Sequence, residues 1–245
     1  MAKRLLDIIL SFIGLVIISP IFVLFVILIW LYDFHNPFYV ASRVEIDGKL
    51  FLMVKLRSML VDADKLGVDS TAANDSRITP IGHFVRRYKL DEFTQLWNVL
   101  IGQMSLVGPR PNVERETRLY TKEEKRLLSI RPGITDFSSI VFADEADILE
   151  GHVDPDLVYN QLIRPWKSRL SLFYIDNRNI LLAIKLIYLT FLSMISRSRA
   201  LYKVSEELRR RGAPTELVQI ALRETALIPH PPPGTNDIVR SRIVD

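Results

Sequence analysis

The stretch Ile8-Ile-Leu-Ser-Phe-Ile-Gly-Leu-Val-Ile-Ile-Ser-Pro20-Ile-Phe-Val-Leu-Phe-Val-Ile-Leu-Ile-Trp-Leu31 carries no charge, and its only interruptions are Ser11, Gly14 and the pair Ser19-Pro20. As a helix it would extend about 36 Å at about 1.5 Å per residue, enough for a hydrocarbon core of about 30 Å. It therefore belongs in a membrane. A cleaved leader would have a shorter apolar stretch and a small-x-small cleavage site, and Leu31-Tyr-Asp-Phe-His35 offers none.

Pro20 falls near the middle of the run, where it cannot donate to the carbonyl of Val16 and its ring crowds that turn, so a kink or break is expected there. The Ser19 hydroxyl can satisfy part of the freed backbone. Two arrangements follow: a kinked helix that spans the bilayer, or a helix-break-helix hairpin that enters and leaves by the same face. Both are sound if the backbone is re-satisfied. Basic residues lie on both flanks, Lys3 and Arg4 before the run and Arg43, Lys49, Lys55 and Arg57 after it, which favours the hairpin if positive charge marks the cytoplasmic side.

Outside this run, the 245 residues leave room for one domain of ordinary size. A net charge of +4 and a pI near 9.3 suit anionic lipid headgroups, phosphorylated substrates or nucleic acid without separating them. The cations are interleaved with carboxylates and no nucleic-acid motif occurs, so a nucleic-acid partner is not expected. With no cysteine there is neither a disulfide framework nor a thiolate metal site, and any metal must be held by oxygen or imidazole.

Phe38-Tyr-Val40 and Leu50-Phe-Leu-Met-Val54 read as strands around the turn pair Asp47-Gly48, a β-hairpin signal. Residues 61–76 read as a helix start followed by a solvated loop. From Ile81 to Leu100 the apolar spacing is that of one helical face broken near Lys89-Leu90, and Gly108-Pro-Arg-Pro111 and Arg131-Pro-Gly133 punctuate the chain as loops. Pro155 to Ser198 is helical in pattern. Its end, Ile180 to Ile195, is too short for a comfortable crossing and contains Lys185, so it is read as a core or interfacial helix. Val204–Arg211 and Pro214–Glu224 read as short amphipathic helices, and Pro231-Pro-Pro-Gly-Thr-Asn236, which can form neither ladder nor helix, as a loose tail, extended or disordered. The fold class expected is α/β, mostly helical with a small β-hairpin, plus an N-terminal membrane helix. The expected divisions are 1–36 for the membrane segment, 37–200 for the main domain and 201–245 for a helical extension.

Functional side chains are densest between Lys55 and Arg110: Lys55-Leu-Arg57, Arg77, Arg86-Arg87, Asp91-Glu92, Gln95, Asn98 and Arg110. Several cations around one carboxylate pair suit a diphosphate, which needs neutralising, and a magnesium ion, which needs oxygen ligands. Asp91 and Glu92 are consecutive, so on a helix they diverge by about 100° and cannot share one atom unless the backbone turns. They would divide the work, one attacking phosphorus and the other serving the metal. Taken singly, an Asp-Glu pair is usually a solvated helix start and Gly-Pro-Arg-Pro a rigid turn.

Their joint order is more specific. Lys3-Arg-x-x-Asp7, Ser19-Pro20, Lys55-x-Arg57-Ser-Met59, Asp75-x-Arg77-Ile-Thr79, Gly82-x-Phe-x-Arg86, Leu90-Asp-Glu92, Gln95-Leu-x-Asn98, Met104-Ser-Leu-Val-Gly-Pro-Arg-Pro111 and Arg131-Pro-Gly-Ile-Thr135 run over roughly the first 200 residues. In this order the chain resembles the bacterial sugar transferase family, the monotopic polyprenyl-phosphate phosphoglycosyl transferases that begin assembly of capsule, exopolysaccharide, O-antigen or glycoprotein glycans. The resemblance implies a re-entrant membrane helix at Ser19-Pro20 and a catalytic domain on the cytoplasmic face of the bacterial inner membrane. It implies a nucleotide diphosphate sugar, expected to be a UDP-sugar, as one substrate and polyprenyl phosphate as the other. It makes Asp91 the nucleophile that expels nucleoside monophosphate and Glu92, with Asp91, the holder of Mg2+. Arg86 becomes a phosphate contact, with Lys55, Arg57, Arg77 and Arg110 as further substrate-binding candidates.

Some positions depart from the family's pattern. Ala41 and Glu45 stand where a glutamine and a glycine are common, Phe93-Thr94 replaces Leu-Pro, and Asp136-Phe-Ser-Ser-Ile-Val-Phe-Ala-Asp-Glu-Ala-Asp147 replaces a Gly-Trp-Ala-Gln-like string. These leave the sugar and nucleotide open. The last 45 residues match nothing in the family's core, and an oligomer contact, such as a homo-oligomer, or a partner-binding surface are the roles open to them. Two other readings compete: a metal-dependent glycosyltransferase that moves a bare sugar, and a membrane-tethered scaffold without activity.

Overall fold

The computed structural model describes residues 2–63, 71 and 75–241. Most of the loop expected over residues 61–76 therefore lies outside the described residues. The apolar run forms one helix, α1 (Ala2–Asp33), that passes through Pro20. No division into two helices occurs there, and Ser19 Oγ donates to the Val16 carbonyl at 2.9 Å, occupying the acceptor that Pro20 leaves without its usual partner. Among the described residues α1 is the one helix long and apolar enough to cross a membrane.

One narrow stripe of α1 packs on the domain along its whole length. Asp7 and Ser11 are buried near its start, Leu15 joins the main core, and Phe22, Phe25, Val26 and Ile29 join a second cluster with Leu56, Val85 and Leu90. The rest of the helix, including Leu5, Phe12, Ile17, Leu24, Ile27 and Leu31, is exposed and apolar. Both ends are fastened. Asp7 accepts from Leu106 N at 3.1 Å and Ser105 Oγ at 2.9 Å, and Arg4 donates to the carbonyls of Val99 and Leu100. At the other end Asp33 takes both Arg57 nitrogens, at 2.5 and 2.6 Å. The Lys3-Arg4-Asp7 motif is thus a fastening for the membrane helix.

Strands β1 (Phe38–Val44) and β2 (Leu50–Leu56) pair antiparallel. The turn between them has φ of 58° at Asp47 and 77° at Gly48, the mirror-image turn that the Asp-Gly pair predicts. The free edge of β2 is covered: Asn98 Nδ2 donates to the Leu52 carbonyl at 2.9 Å and Thr94 Oγ1 to that of Val54. Helices α2 (Pro80–Arg87) and α3 (Gln95–Ile101) flank the expected break. A second, parallel pair, β3 (Ser105–Val107) with β4 (Gly133–Thr135), adds to the single hairpin expected. Between them lies α4 (Glu114–Arg118). Beyond β4 come α5 (Phe137–Val141), α6 (Glu145–Ile148), α7 (Pro155–Val158), α8 (Arg164–Asn177) and α9 (Ile180–Ile195). Helix α9 buries Leu182, Ala183, Leu186 and Leu189 and exposes Leu181, Phe191 and Ile195, so one face closes the core and the other is apolar and open.

Two expectations for the C-terminal part need correction. The first short helix is longer than its amphipathic pattern suggested: α10 (Arg197–Arg210) begins seven residues before Val204, so the expected division at residue 200 falls within it. It and α11 (Thr215–Leu222) bury Ala200, Val204, Leu208, Leu217 and Ala221 in the main core. The proline-rich tail is a strap rather than a loose end. Prolines give up a donor but keep their carbonyls, and Pro231 O accepts from Arg169 Nη1 at 2.9 Å while Pro233 O accepts from Thr121 Oγ1 at 2.5 Å. His230 N donates to Gln161 O at 3.0 Å and its ring lies 4.3 Å from that of Trp166.

Helix α10 is joined to α9 through Glu207, which is fully buried and accepts from Lys185, Arg210 and Arg211. Burial alone would push this carboxyl up, but the three bonds outweigh it and hold it at about 2. A folded-state value below the unfolded one means that the cluster stabilises the fold above about pH 4.5 and is lost as pH falls from there toward 2. Glu207→Gln is expected to cost about 3 kcal/mol at neutral pH, and to flatten the fall of melting temperature with acidification. Parallel wild-type and variant curves by circular dichroism between pH 7 and 3 would refute this.

Candidate active site

The carboxylate pair sits on a sharp turn between two helices. Lys89 adopts the left-handed conformation (φ 56°, ψ 26°), ends α2 and starts a single 3-10 turn, Leu90–Glu92, before α3 begins at Gln95. Leu90 is buried with Ile29, Leu56 and Val85 and pins the turn, while Thr94 Oγ1 donates to the Asp91 carbonyl at 3.1 Å. Successive residues on such a turn diverge by about 120°, so the two carboxylates face different partners. Asp91 Oδ2 lies 4.0 Å from Lys55 Nζ on β2, and Glu92 Oε1 accepts from Arg110 Nη2 at 2.6 Å.

The electrostatics set the two acids apart. Burial pushes the Asp91 carboxyl up, the nearby Glu92 charge adds to that, and Lys55 and Arg86 oppose it. Burial acts on Glu92 in the same sense, but Arg110, Lys89 and Lys55 together hold it well below the usual carboxylate range. Lys55 is pushed down to about 8 by burial, with Arg110 the next cause. Burial likewise lowers Arg86, whose nearest opposing influence is Asp91.

Of the candidates read from sequence, Lys55, Arg86 and Arg110 therefore gather around Asp91 and Glu92. Arg57 and Arg77 do not stand free beside them. Arg57 is buried in its fork with Asp33, and Arg77 bonds Asp75 at 2.6 Å. Ser19 and Pro20 are elsewhere on α1, but Ser19 lines an apolar groove of about 330 Å³ with Leu15, Phe22, Phe38, Phe93 and Trp97 that also reaches Thr94, just past the pair.

Glycines set the positions of the cations. A Cβ on Gly82 would lie 1.9 Å from the Ser58 carbonyl oxygen, so α2 can approach the Arg57-Ser58 segment and present Arg86 only with glycine there. Gly108 and Gly133 cross in the same way: Gly108 N donates to Thr135 O at 2.9 Å and Gly133 N to Pro109 O at 2.8 Å. This crossing carries Arg110.

Residues 1–197, from α1 to the first residue of α10, match the family described as bacterial sugar transferase. The chain belongs to this family. It is 47% identical over 121 residues to a Bacillus subtilis (strain 168) protein provisionally named an undecaprenyl-phosphate N-acetylgalactosaminyl 1-phosphate transferase, a match that covers 49% of the chain and 68% of that protein. It is 35% identical over 199 residues to the galactosyl transferase CpsE of Streptococcus agalactiae serotype III (strain NEM316), covering 77% of the chain and 42% of the relative. With the UDP-glucose:undecaprenyl-phosphate glucose-1-phosphate transferase of Klebsiella pneumoniae it shares 36% identity over 177 residues, 69% of the chain and 37% of the relative. The chain thus spans about two thirds of the first of these proteins and well under half of the other two.

The site holds residues that the sequence reading passed over. Lys89 acts on both Glu92 and Asp91. Glu145 on α6 bonds Lys167 Nζ from α8 and acts on Arg110. The one local signal for Glu145 was the acidic end of the stretch 136–147 that departs from the family pattern. The start of that stretch is structural: Asp136 is buried, caps α5 by accepting from Ser139 N at 2.9 Å, and accepts from Ser171 on α8.

No group of three acidic or histidine side chains stands at metal-binding spacing among the described residues. Magnesium does not require one, since it keeps several waters and commonly takes one or two carboxylates together with substrate phosphates. Asp91 and Glu92 fit that smaller set. The Glu92 charge raises the proton affinity of Asp91 as a like charge does, and Arg110 occupies one Glu92 oxygen, leaving its second oxygen and Asp91 for a divalent cation.

Proposed function

We propose that this protein transfers a sugar 1-phosphate from a nucleotide diphosphate sugar to polyprenyl phosphate, through an ester of the phosphosugar on Asp91. The observation that carries the reading is the pairing of a half-buried carboxylate beside Lys55, Arg86 and Arg110 with an apolar groove that Thr94, three residues further on, helps to line. A phosphate-neutralising site and a hydrocarbon-lined groove meeting at one turn suit a substrate pair of which one is a nucleotide and the other a lipid phosphate. The relatives named for undecaprenyl-phosphate support the same pairing.

In the first displacement an Asp91 oxygen attacks the sugar-linked phosphorus. The bond from that phosphorus to the bridging oxygen breaks, and nucleoside monophosphate leaves with that oxygen. In the second, an oxygen of polyprenyl phosphate attacks the same phosphorus, Asp91 is released as carboxylate, and polyprenyl diphosphate sugar departs. Splitting the transfer lets one small site serve a soluble and a membrane-bound substrate in turn. Arg86 and Lys55 offset charge on the phosphates, where such reactions need most help. Mg2+ held by Glu92 and Asp91 would add a further counter-charge on the transferring group. UDP-sugars are the expected nucleotide substrates.

The helix α1 would dip into one leaflet. A helix that crossed the bilayer would carry one end away from the domain, whereas both ends and the middle of α1 pack on it, through Arg4 and Asp7, Leu15, and Asp33. The exposed apolar side then meets lipid from one membrane face, taken as the cytoplasmic face of the inner membrane.

Incubation with a UDP-sugar and polyprenyl phosphate in nanodiscs is expected to release nucleoside monophosphate. With labelled monophosphate and no acceptor, label should exchange back into the nucleotide sugar. Release of nucleoside diphosphate would instead identify transfer of a bare sugar, and no exchange would rule out the two-step route.

A further inference from the structure

The hydroxyl of Thr94 is turned away from its ordinary use. Thr94 is the residue before α3, where a threonine side chain commonly accepts from an N–H of the first helical turn, yet it makes no such cap here. It donates backward instead. Its Oγ1 bonds the Val54 carbonyl of β2, 40 residues earlier, and lies 3.1 Å from the Asp91 carbonyl, so its one hydrogen is shared between a strand edge and the turn that holds the carboxylate pair. Thr94 is buried, and no backbone N–H reaches the Asp91 carbonyl. The Thr94 hydroxyl is therefore its one hydrogen-bond donor among the described residues.

That turn needs holding at both ends. It is entered through Lys89 at φ 56°, a conformation that a side chain adopts at a cost and keeps only where its surroundings enforce it. Leu90 anchors the near end in the apolar cluster of Ile29, Leu56 and Val85. At the far end Thr94 joins the Asp91 backbone to Val54, and the next residue of β2 is Lys55, whose Nζ lies 4.0 Å from Asp91 Oδ2. One side chain thus connects the two sides of the approach between Asp91 and Lys55. The Asn98 side chain ties α3 to the Leu52 carbonyl in a similar way, but it makes no bond to the turn. Thr94 also lines the apolar groove beside Phe93 and Trp97.

Resting on the proposed function, we infer that Thr94 is a positioning residue for the nucleophile: its hydroxyl latches the Asp91 turn to β2, and so fixes Asp91 and Lys55 relative to each other and to the phosphorus under attack. Small misplacements of an attacking group are costly, about 10²-fold in rate for about 1 Å. The latch is needed before the acceptor arrives, because the first displacement already requires Asp91 in place. Its loss therefore slows both displacements without weakening either substrate. A residue that served only as a wall of the groove would behave differently, changing the hold on polyprenyl phosphate and leaving the first displacement as it was.

Four full-length proteins in nanodiscs test this: wild type, Thr94→Val, which keeps the shape and removes the hydroxyl, Thr94→Ser, which keeps the hydroxyl and removes the methyl group, and Thr94→Ala, which removes both. Exchange of labelled UMP into UDP-glucose or UDP-N-acetylgalactosamine, without acceptor, reports the first displacement alone. In Thr94→Val it should slow about ten- to a hundredfold, and kcat for transfer to polyprenyl phosphate should fall with it. Binding of the nucleotide sugar by titration and KM for polyprenyl phosphate should stay as in wild type. Thr94→Ser should exchange close to the wild-type rate and Thr94→Ala as slowly as Thr94→Val. Wild-type exchange by Thr94→Val overturns the inference alone, as does a raised KM for polyprenyl phosphate with exchange intact. If Thr94→Val does not fold, equal exchange rates in Thr94→Ser and Thr94→Ala overturn it equally. A wild-type protein that exchanges label with neither nucleotide sugar overturns the proposed two-step route and this inference with it.

Discussion

Asp91→Asn is expected to abolish phosphosugar transfer, with a loss in kcat on the order of 10³-fold or more, while leaving the fold as stable as before or more so. The two effects have opposite signs for one reason. Burial works against the charged form of Asp91, and its one ion-pair partner among the described residues, Lys55, is 4.0 Å away, so the carboxylate is held there at a cost to folding. An amide of the same shape removes that cost and also the nucleophile. Sites that trade stability for chemistry behave this way. The check is a melting curve beside a transfer assay, with mass spectrometry of protein incubated with the nucleotide sugar alone. A phosphosugar adduct should form on Asp91 in the wild type and not in the variant. A variant that turns over normally would remove Asp91 from the mechanism.

Gly133→Ala is the second large effect, and it acts from a distance. The new Cβ would stand 2.0 Å from Gly108 N and 2.6 Å from Gly108 Cα, all backbone, so no side chain can swing aside to make room. The crossing of Gly108 and Gly133 must open, and with it the pairing of β3 with β4 and the placement of Arg110 two residues after Gly108. A misplacement of about 1 Å at a positioning group can lower activity about 10²-fold, and overpacking costs about 1–3 kcal/mol. A lowered melting temperature together with lost transfer is expected. Wild-type activity in this variant would mean that Arg110 is not needed where it stands.

What the sequence made legible was local. Asp47-Gly48 named its own turn because both positions need positive φ, and the helical break at Lys89-Leu90 was visible because the apolar spacing loses its phase there. The Asp91-Glu92 pair and its nearest cations could be read from order along the chain. Long-range pairings could not. Arg57 looks the same in sequence whether it meets a phosphate or Asp33, 24 residues earlier, and only the return of the chain at the end of α1 decides it. Beyond the acidity of its own stretch Glu145 gave no signal, because its partner Lys167 comes from a distant segment. The proline cluster forms neither ladder nor helix, as its composition requires, but that says nothing of what its carbonyls accept, so its fastening was not legible.

The strap and the two helices before it also bear on how the chain is made. Ala200, Val204, Leu208, Leu217 and Ala221 complete a core whose other walls are α3, α5, α8 and α9, and Pro233 closes on Thr121, 112 residues upstream. During synthesis α1 emerges well before α10 and α11, so the interior it leans on stays unfinished until those helices have left the ribosome. A newborn chain therefore carries an open apolar seam from the emergence of α1 until α10, α11 and the strap follow.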